Sequence, residues 1–308
     1  MVTVAIAGSS GHIGLTLFEN LKRNSALKVI GLSRVKPSGA GDSVYVVDYN
    51  DIDALAQILR DNAVEIVISA IQVSGPEAGA SEQNLVNAAV KADSVVRFVS
   101  SDWGIPFPAD QSEWTPQHIA RAATRELLAT TSLEWTTFHI GYIADYFGIP
   151  YIETHMSPLV INIDIANKAA AIPGTGNDLI AFTYSHDVAK FVEAALNLPH
   201  WDDELFCYGD RCTLNQVVKL AQGATASAFA VTYDSVEKLR AGQISELPSH
   251  YTAYPYFPKP VLQMVFAKFG TYVVSGLFNF PEDKCLNNIF PEINTKSVKE
   301  IVAAWKGK

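Results

Sequence analysis

The chain has 308 residues, enough for two domains or for one α/β domain with an annex. Hydrophobic residues make up 48% and charged residues 18%, which excludes a disordered chain and fits a well-packed enzyme. A net charge of -9 without a basic run argues against nucleic acid as the main partner, because phosphate contacts need a basic surface.

The sequence enters a strand at once: Val2–Ala7 is a continuous apolar run, the pattern of a parallel strand buried on both faces. A helical pattern runs from His12 to about Arg23, followed by strands over 28–33 and 43–47 and a helix over Ile52–Asp61. A strand over 65–71, a helix over 82–92 and a strand over 95–100 continue the alternation. Residues 116–130 predict a helix and 134–140 a sixth strand. Strands alternating with helices imply right-handed crossovers and a doubly wound parallel sheet.

After residue 146 the rhythm changes. Residues 147–178 are rich in Pro, Gly and Asn, and 204–285 mix short strands with aromatic loops around Tyr251, Tyr254, Tyr256 and Phe257. A helix over 187–196, with Asp187 as its N-cap, returns to the sheet. The expected architecture is an α/β Rossmann domain over 1–146, rejoined by 179–200, and a smaller interleaved C-terminal substrate domain over 147–178 and 201–308.

No basic leader or cleavage site precedes Val2, and the most apolar late stretch, 261–280, is broken by Lys268, Gly270 and Gly276. Cys207, Cys212 and Cys285 are few, odd in number and without metal-ligand spacing, as expected of buried free thiols in a reducing compartment. A cytoplasmic monomer or homodimer without a metal, without nucleic acid and without a membrane partner is the expectation. Gly-x-Ser-x-Gly is absent, which removes one hydrolase class.

The strongest motif is Gly8-Ser9-Ser10-Gly11-His12-Ile13-Gly14, lying between the first strand and the first helix. Gly8 permits the tight turn, Gly11 lets backbone approach a pyrophosphate, and Gly14 lets the helix pack closely on the sheet. The free N–H groups and positive end of the helix then face the anion. The second strand ends in Ser33 and Arg34, with Lys36 beyond, where NAD-binding proteins place a carboxylate for the ribose 2′-hydroxyl. A guanidinium there holds a 2′-phosphate instead, so NADP(H) is the expected cofactor. Asp48 and Tyr49, after the third strand, are placed for the adenine edge, and Ala70, Ile71 and Gln72, after the fourth, for the nicotinamide side.

Together with this loop, Arg97-Phe98-Val99-Ser100-Ser101-Asp102-Trp103-Gly104 and Leu133-Glu134-Trp135-Thr136 resemble the NmrA-like and isoflavone-reductase-like proteins, atypical short-chain dehydrogenases/reductases. Ala171-Ile172-Pro173-Gly174, Phe182-Thr183-Tyr184 with Asp187-Val188-Ala189, and Glu246-Leu247-Pro248 extend the resemblance over nearly the whole chain. It implies an NADPH-dependent reductase of a small aromatic or unsaturated secondary metabolite. It also implies a catalytic lysine in a Lys-x-x-x-Arg pattern ahead of the Trp-Thr strand, and that position falls on Arg121, with Arg125 following. Arginine stays charged at any working pH, so it stabilises negative charge but does not exchange a proton.

By position, the proton donors to consider are His118, Asp102, His139, Tyr142 and Tyr146. His118 reads equally as a residue of the helix's first turn, and His139 as a core histidine. Tyr142, Tyr146, Tyr254 and Phe257 are the expected substrate-binding side chains. Two alternatives to a reductase stay open: a cyclase, isomerase or condensing enzyme using NADP(H) structurally, and a redox-sensing regulator of the NmrA type.

Overall fold

The computed structural model describes residues 1–35 and 41–308. Lys36 lies outside the described residues. In chain order the elements are β1 (Val2–Ala7), α1 (His12–Leu21), β2 (Leu27–Ser33), β3 (Val44–Val46), α2 (Ile52–Asp61), β4 (Ile66–Ser69), α3 (Pro76–Ala92), β5 (Arg97–Gly104), α4 (Pro116–Ala129) and β6 (Glu134–His139). There follow β7 (Tyr142–Ile143), β8 (Ile163–Asp164), β9 (Ala169–Pro173), β10 (Ile180–Thr183), α5 (Ser185–Ala195), β11 (Glu204–Phe206), β12 (Asp210–Cys212), α6 (Leu214–Thr225), β13 (Ala230–Asp234), α7 (Val236–Arg240), α8 (His250–Ala253) and α9 (Lys259–Val274).

The chain divides into two units: Met1–His139 with Val188–Cys207 and Leu286–Ile293, and Ile140–Asp187 with Tyr208–Cys285 and Asn294–Lys308. The first unit therefore ends at 139 rather than 146 and takes back 188–207 rather than 179–200. The reason is local: β10 pairs with β7 and β12 of the second unit, whereas β11 pairs with β6 of the first.

The sheet of the first unit has seven parallel strands in the order β11-β6-β5-β4-β1-β2-β3, the expected Rossmann arrangement. Chain order reverses at β1, flanked by β2 and β4, and the crevice beyond the ends of β1 and β4 is where open α/β sheets generally bind ligands. On one face, Leu55, Ala56 and Leu59 of α2 and Leu85, Val86, Ala88 and Ala89 of α3 are buried with Ala5, Ile30, Leu32, Val67 and Phe98 of the strands. Each buried Leu, Ile or Phe contributes about 1.5–3 kcal/mol, which holds the strand ends at the site in fixed register.

Three boundaries near the site differ from the sequence reading. Helix α3 starts at Pro76 rather than 82, with Gly75 as N-cap and proline in the first turn. The small residues between carry no apolar periodicity, and Gly79 is where α3 approaches α4: a Cβ there would lie 3.0 Å from Ala120 Cβ. Strand β5 runs past 100 because it is bulged: Ser100 pairs with Thr137, but the next pair is Gly104 with His139. Helix α5 begins at Ser185, so Asp187 is not its N-cap; its carboxylate accepts from Lys296 N at 2.7 Å.

The second unit holds two three-stranded sheets, β12-β10-β7 and β13-β9-β8. Its core is aromatic, with Tyr142 packed on Phe147, Phe182 and Phe269. All three cysteines are buried, and none forms a disulfide.

Candidate dinucleotide site

The glycine loop is shaped by backbone contacts that leave no room for side chains. Gly8 has φ +75°, and a Cβ on it would stand 2.6 Å from Ala70 O; at Gly14 the Cβ would meet Gly8 O at 2.2 Å. Any larger residue at either position must displace backbone. Gly11 differs: a Cβ there would come no nearer than 3.5 Å to protein, so nothing inside the protein demands glycine. That leaves bare backbone facing outward at the N-cap of α1, and no side chain caps the helix. Uncapped N–H groups at a helix N-terminus fit a pyrophosphate. Ser10, Gly11 and His12 are exposed and Ile13 is half-buried, as such a cradle requires.

The loop is anchored from below. Gly8 N donates to Tyr49 Oη at 3.0 Å, and Tyr49 Oη donates to Leu32 O at 3.0 Å. Tyr49 is buried, and burial pushes its hydroxyl up to about 12. It therefore supports the turn from inside the sheet and does not face the adenine edge, which corrects the sequence expectation. Asp48 is exposed, but its Oδ1 accepts from both nitrogens of Asn50 at 2.9 and 3.0 Å. Ser10 and Ser33 share a hydroxyl–hydroxyl bond of 2.6 Å, joining the loop to the end of β2. Arg34, next along, is exposed and makes no ion pair or hydrogen bond with any described residue.

The other end of the crevice is a closed charge network. The β5 bulge sets Ser101, Asp102 and Trp103 between the paired Ser100 and Gly104. Ser101 Oγ donates to Ile71 O at 2.7 Å, and Trp103 Nε1 to Ser69 O at 3.0 Å, with the indole stacked on Phe138. The Asp102 carboxylate is fully buried; Oδ1 accepts from Arg121 Nη1 at 3.0 Å and Oδ2 from Arg125 Nη2. Arg125 continues to Glu204 at 3.0 Å and lies over the Phe107 ring at 4.1 Å. Glu204 also takes His139 Nε2 at 3.1 Å, and this hydrogen bond, aided by Arg125, holds its carboxyl at about 2. Beneath the bulge lies Glu82 of α3, fully buried, accepting from Ser101 N at 2.6 Å and Ser100 Oγ at 3.3 Å.

Arg121 and Asp102 thus stand together, as the sequence reading needs, but their parts change. Asp102 has both oxygens on guanidinium donors and no exposure, so it orients Arg121 rather than delivering a proton. His118 completes a capping box with Thr115, accepting from Thr115 N at 3.1 Å on Nδ1, and packs on Phe107. Its first-turn reading is the one the geometry favours. His139 is a core histidine whose Nδ1 is buried without a partner.

In the second unit, Tyr142 is only 2% exposed and is core rather than pocket; burial raises its hydroxyl far above the ordinary range. Tyr254 donates to Glu246, itself paired with Lys259 at 2.7 Å, and Phe257 packs edge-on to Phe266. These two are tied into their own unit's surface. Tyr146 is half-buried, edge-on to Tyr142, with no hydrogen bond from its hydroxyl to any described residue; burial lifts it to about 12.

Residues 8–158 match the family model described as NAD(P)H-binding. Oxidoreductase BOA1 of Botryotinia fuckeliana is 31% identical over 300 residues, covering 95% of this chain and 96% of the relative. The chain belongs to the NAD(P)H-binding oxidoreductase family. Its fold follows that of solved reductases. Leucoanthocyanidin reductase from Vitis vinifera, in a ternary complex, superposes with a TM-score of 0.77 at 18% identity, covering 98% of this chain and 99% of that one. An isoflavone reductase gives 0.70 at 18% identity, with 97% and 98% covered. The isoflavone-reductase-like fold expected from the motifs is therefore met. No helix among the described residues is long and apolar enough to cross a membrane, and no group of metal-ligating side chains is found there.

Sequence reasoning missed Glu82, Glu204, and the Ser10–Ser33 pair. Glu204 sits on a strand assigned by pattern to the other domain. Glu82 is one carboxylate in a helix rich in small residues; only its place on the otherwise apolar face of the 82–92 pattern distinguishes it.

Proposed function

We propose that this chain is an NADPH-dependent reductase of a small aromatic or unsaturated metabolite, acting in the cytoplasm as a monomer or homodimer. The observation that carries it is the uncapped, glycine-lined N-terminus of α1 beside Arg34, which has no ion pair or hydrogen bond among the described residues. The α1 N–H groups hold the pyrophosphate, and Arg34, next to Ser10 and Ser33, takes the 2′-phosphate by charge-assisted hydrogen bonds. Ala70, Ile71 and Gln72 border the nicotinamide half, where the bound cofactor supplies a hydride. Relatives named oxidoreductase and neighbours named reductase support the same reading.

Arg121 is the residue we assign to the developing negative charge on the substrate. Its side chain is 21% exposed and is held by Asp102 through Nη1, and with Nε buried this leaves Nη2 for substrate. A guanidinium does not give up its proton at working pH, so Arg121 stabilises charge and another group protonates. Of the two tyrosine candidates, neither with a hydroxyl hydrogen bond to a described residue, Tyr146 is the more exposed, and its raised pKa keeps it protonated at neutral pH.

Stopped-flow loss of NADPH absorbance against a panel of quinones, enones and imines tests this. Turnover of at least one class is expected, with Arg121→Ala lowering kcat more than it raises KM. Silence across the panel with NADPH binding intact overturns it. Product formed with NADP⁺ and no change in cofactor oxidation state points to a cyclase or isomerase instead.

A further inference from the structure

Glu82 is a carboxylate that neither the cofactor cradle nor the Arg121 cluster uses, yet it lies wholly inside the protein at the strand ends that build both. Its Oε1 takes the backbone N–H of Ser101 at 2.6 Å and the Ser100 hydroxyl at 3.3 Å, both at the β5 bulge. Its Oε2 is buried near the Ser69 hydroxyl, which favours its charge, but neither atom has a partner at hydrogen-bond geometry among the described residues. Burying a carboxylate costs stability unless it is fully hydrogen-bonded, and one oxygen without a partner calls for an explanation.

The explanation is visible in what the bulge does. Ser101, whose N–H Glu82 holds, closes on Ile71 O with its hydroxyl at 2.7 Å. Asp102, next along, carries Arg121 and Arg125. Trp103, next again, closes on Ser69 O at 3.0 Å. Three consecutive side chains thus fix the end of β4 and the arginine pair, and one acceptor beneath them holds the backbone that presents them. We propose that Glu82 is a positioning residue of the site: its buried carboxyl holds the β5 bulge in the form that sets residues 70–72 and the Asp102–Arg121 pair. This rests on the reading of 70–72 as the border of the nicotinamide.

Burial raises the Glu82 carboxyl above its ordinary range; the Ser101 N–H, Ser69 and Arg121 oppose this, and Asp102 adds to it. The charged groups facing it are Arg121 of α4 and Asp102 of β5. Ionisation strengthens the Ser101 N–H bond but leaves a charge that burial disfavours more, so the folded bulge loses stability as pH rises through the raised pKa.

The test uses the full chain without substrate. The indole N–H resonance of Trp103, assigned with Trp103→Phe, and NADPH affinity by calorimetry are both followed against pH. In the wild type the resonance shifts in one step above the ordinary carboxylate range, and NADPH affinity weakens across the same step. Glu82→Gln retains an acceptor for Ser101 N, abolishes the step and keeps affinity within about twofold of the low-pH wild type. Glu82→Leu leaves Ser101 N unpaired, displaces the resonance at every pH and weakens NADPH binding about tenfold. The proposal fails if Glu82→Gln titrates as the wild type does, or if Glu82→Leu binds NADPH as tightly. A chain that binds NADPH but reduces nothing leaves this test intact and overturns only the reductase reading.

Discussion

The two ends of the crevice in the first unit treat arginine in opposite ways. At the end of β2, Arg34 is exposed and makes no hydrogen bond or ion pair with a described residue. At the end of β5, Arg121 and Arg125 grip one fully buried carboxylate, and Arg125 reaches Glu204 as well. An unpartnered guanidinium keeps its charge and donors for a ligand, whereas a clamped one has lost rotamer freedom and points where the fold directs it. The first arrangement suits recognition of a ligand that brings its own charge. The second suits a reaction in which charge appears only at the transition state.

Breaking the clamp should have the largest effect. Asp102→Ala leaves Arg121, only 21% exposed, without its carboxylate and Arg125 with Glu204 alone, and should lower stability by about 3–5 kcal/mol in urea unfolding. A loss below about 1 kcal/mol would mean that the arginines are held by something else. Arg34→Ala, by contrast, should leave stability unchanged. It should weaken NADPH about tenfold to a hundredfold, as expected for lost charge-assisted hydrogen bonds, and leave NADH within about twofold. Equal losses for the two cofactors would erase the distinction between the ends.

The smallest effect belongs to Glu204, whose folded carboxyl is depressed to about 2, first by His139 and then by Arg125. A depressed carboxylate contributes stability that is present above its unfolded pKa and is lost as pH falls toward about 2. Glu204→Gln should therefore flatten the acid limb of unfolding from the ordinary carboxylate range downward. Glu204 is 37% exposed, so solvent screening keeps the difference below about 1 kcal/mol. No change in that limb would show that the His139 bond contributes nothing.

How much of this was legible in the sequence follows from range. The glycine loop and the apolar runs of β1 and β2 are local patterns, each written in consecutive residues, and they place the fold and the cradle. Arg34 was legible for the same reason, since its distance from Gly14 in the sequence equals its place at the end of β2. Arg121 needed a resemblance, because nothing in Pro116–Ala129 marks one polar residue above another. Tyr49 and Tyr142 misled because a tyrosine at a strand end reads as ligand-facing, and sequence does not show whether its hydroxyl turns inward. The β5 bulge was hidden as well, since an extended run of Ser-Ser-Asp-Trp carries no signal that the pairing skips.

The bare N-terminus of α1 has a practical consequence. A helix without a cap is an incomplete piece of the folded state, and whatever completes it adds to stability by mass action. A ligand at one hundred times its Kd raises the unfolding free energy by about 2.7 kcal/mol, large enough to read as a shift in melting temperature. The fold is thus its own sensor: dinucleotides and their fragments can be ranked by heating the protein with each, before any reaction is known.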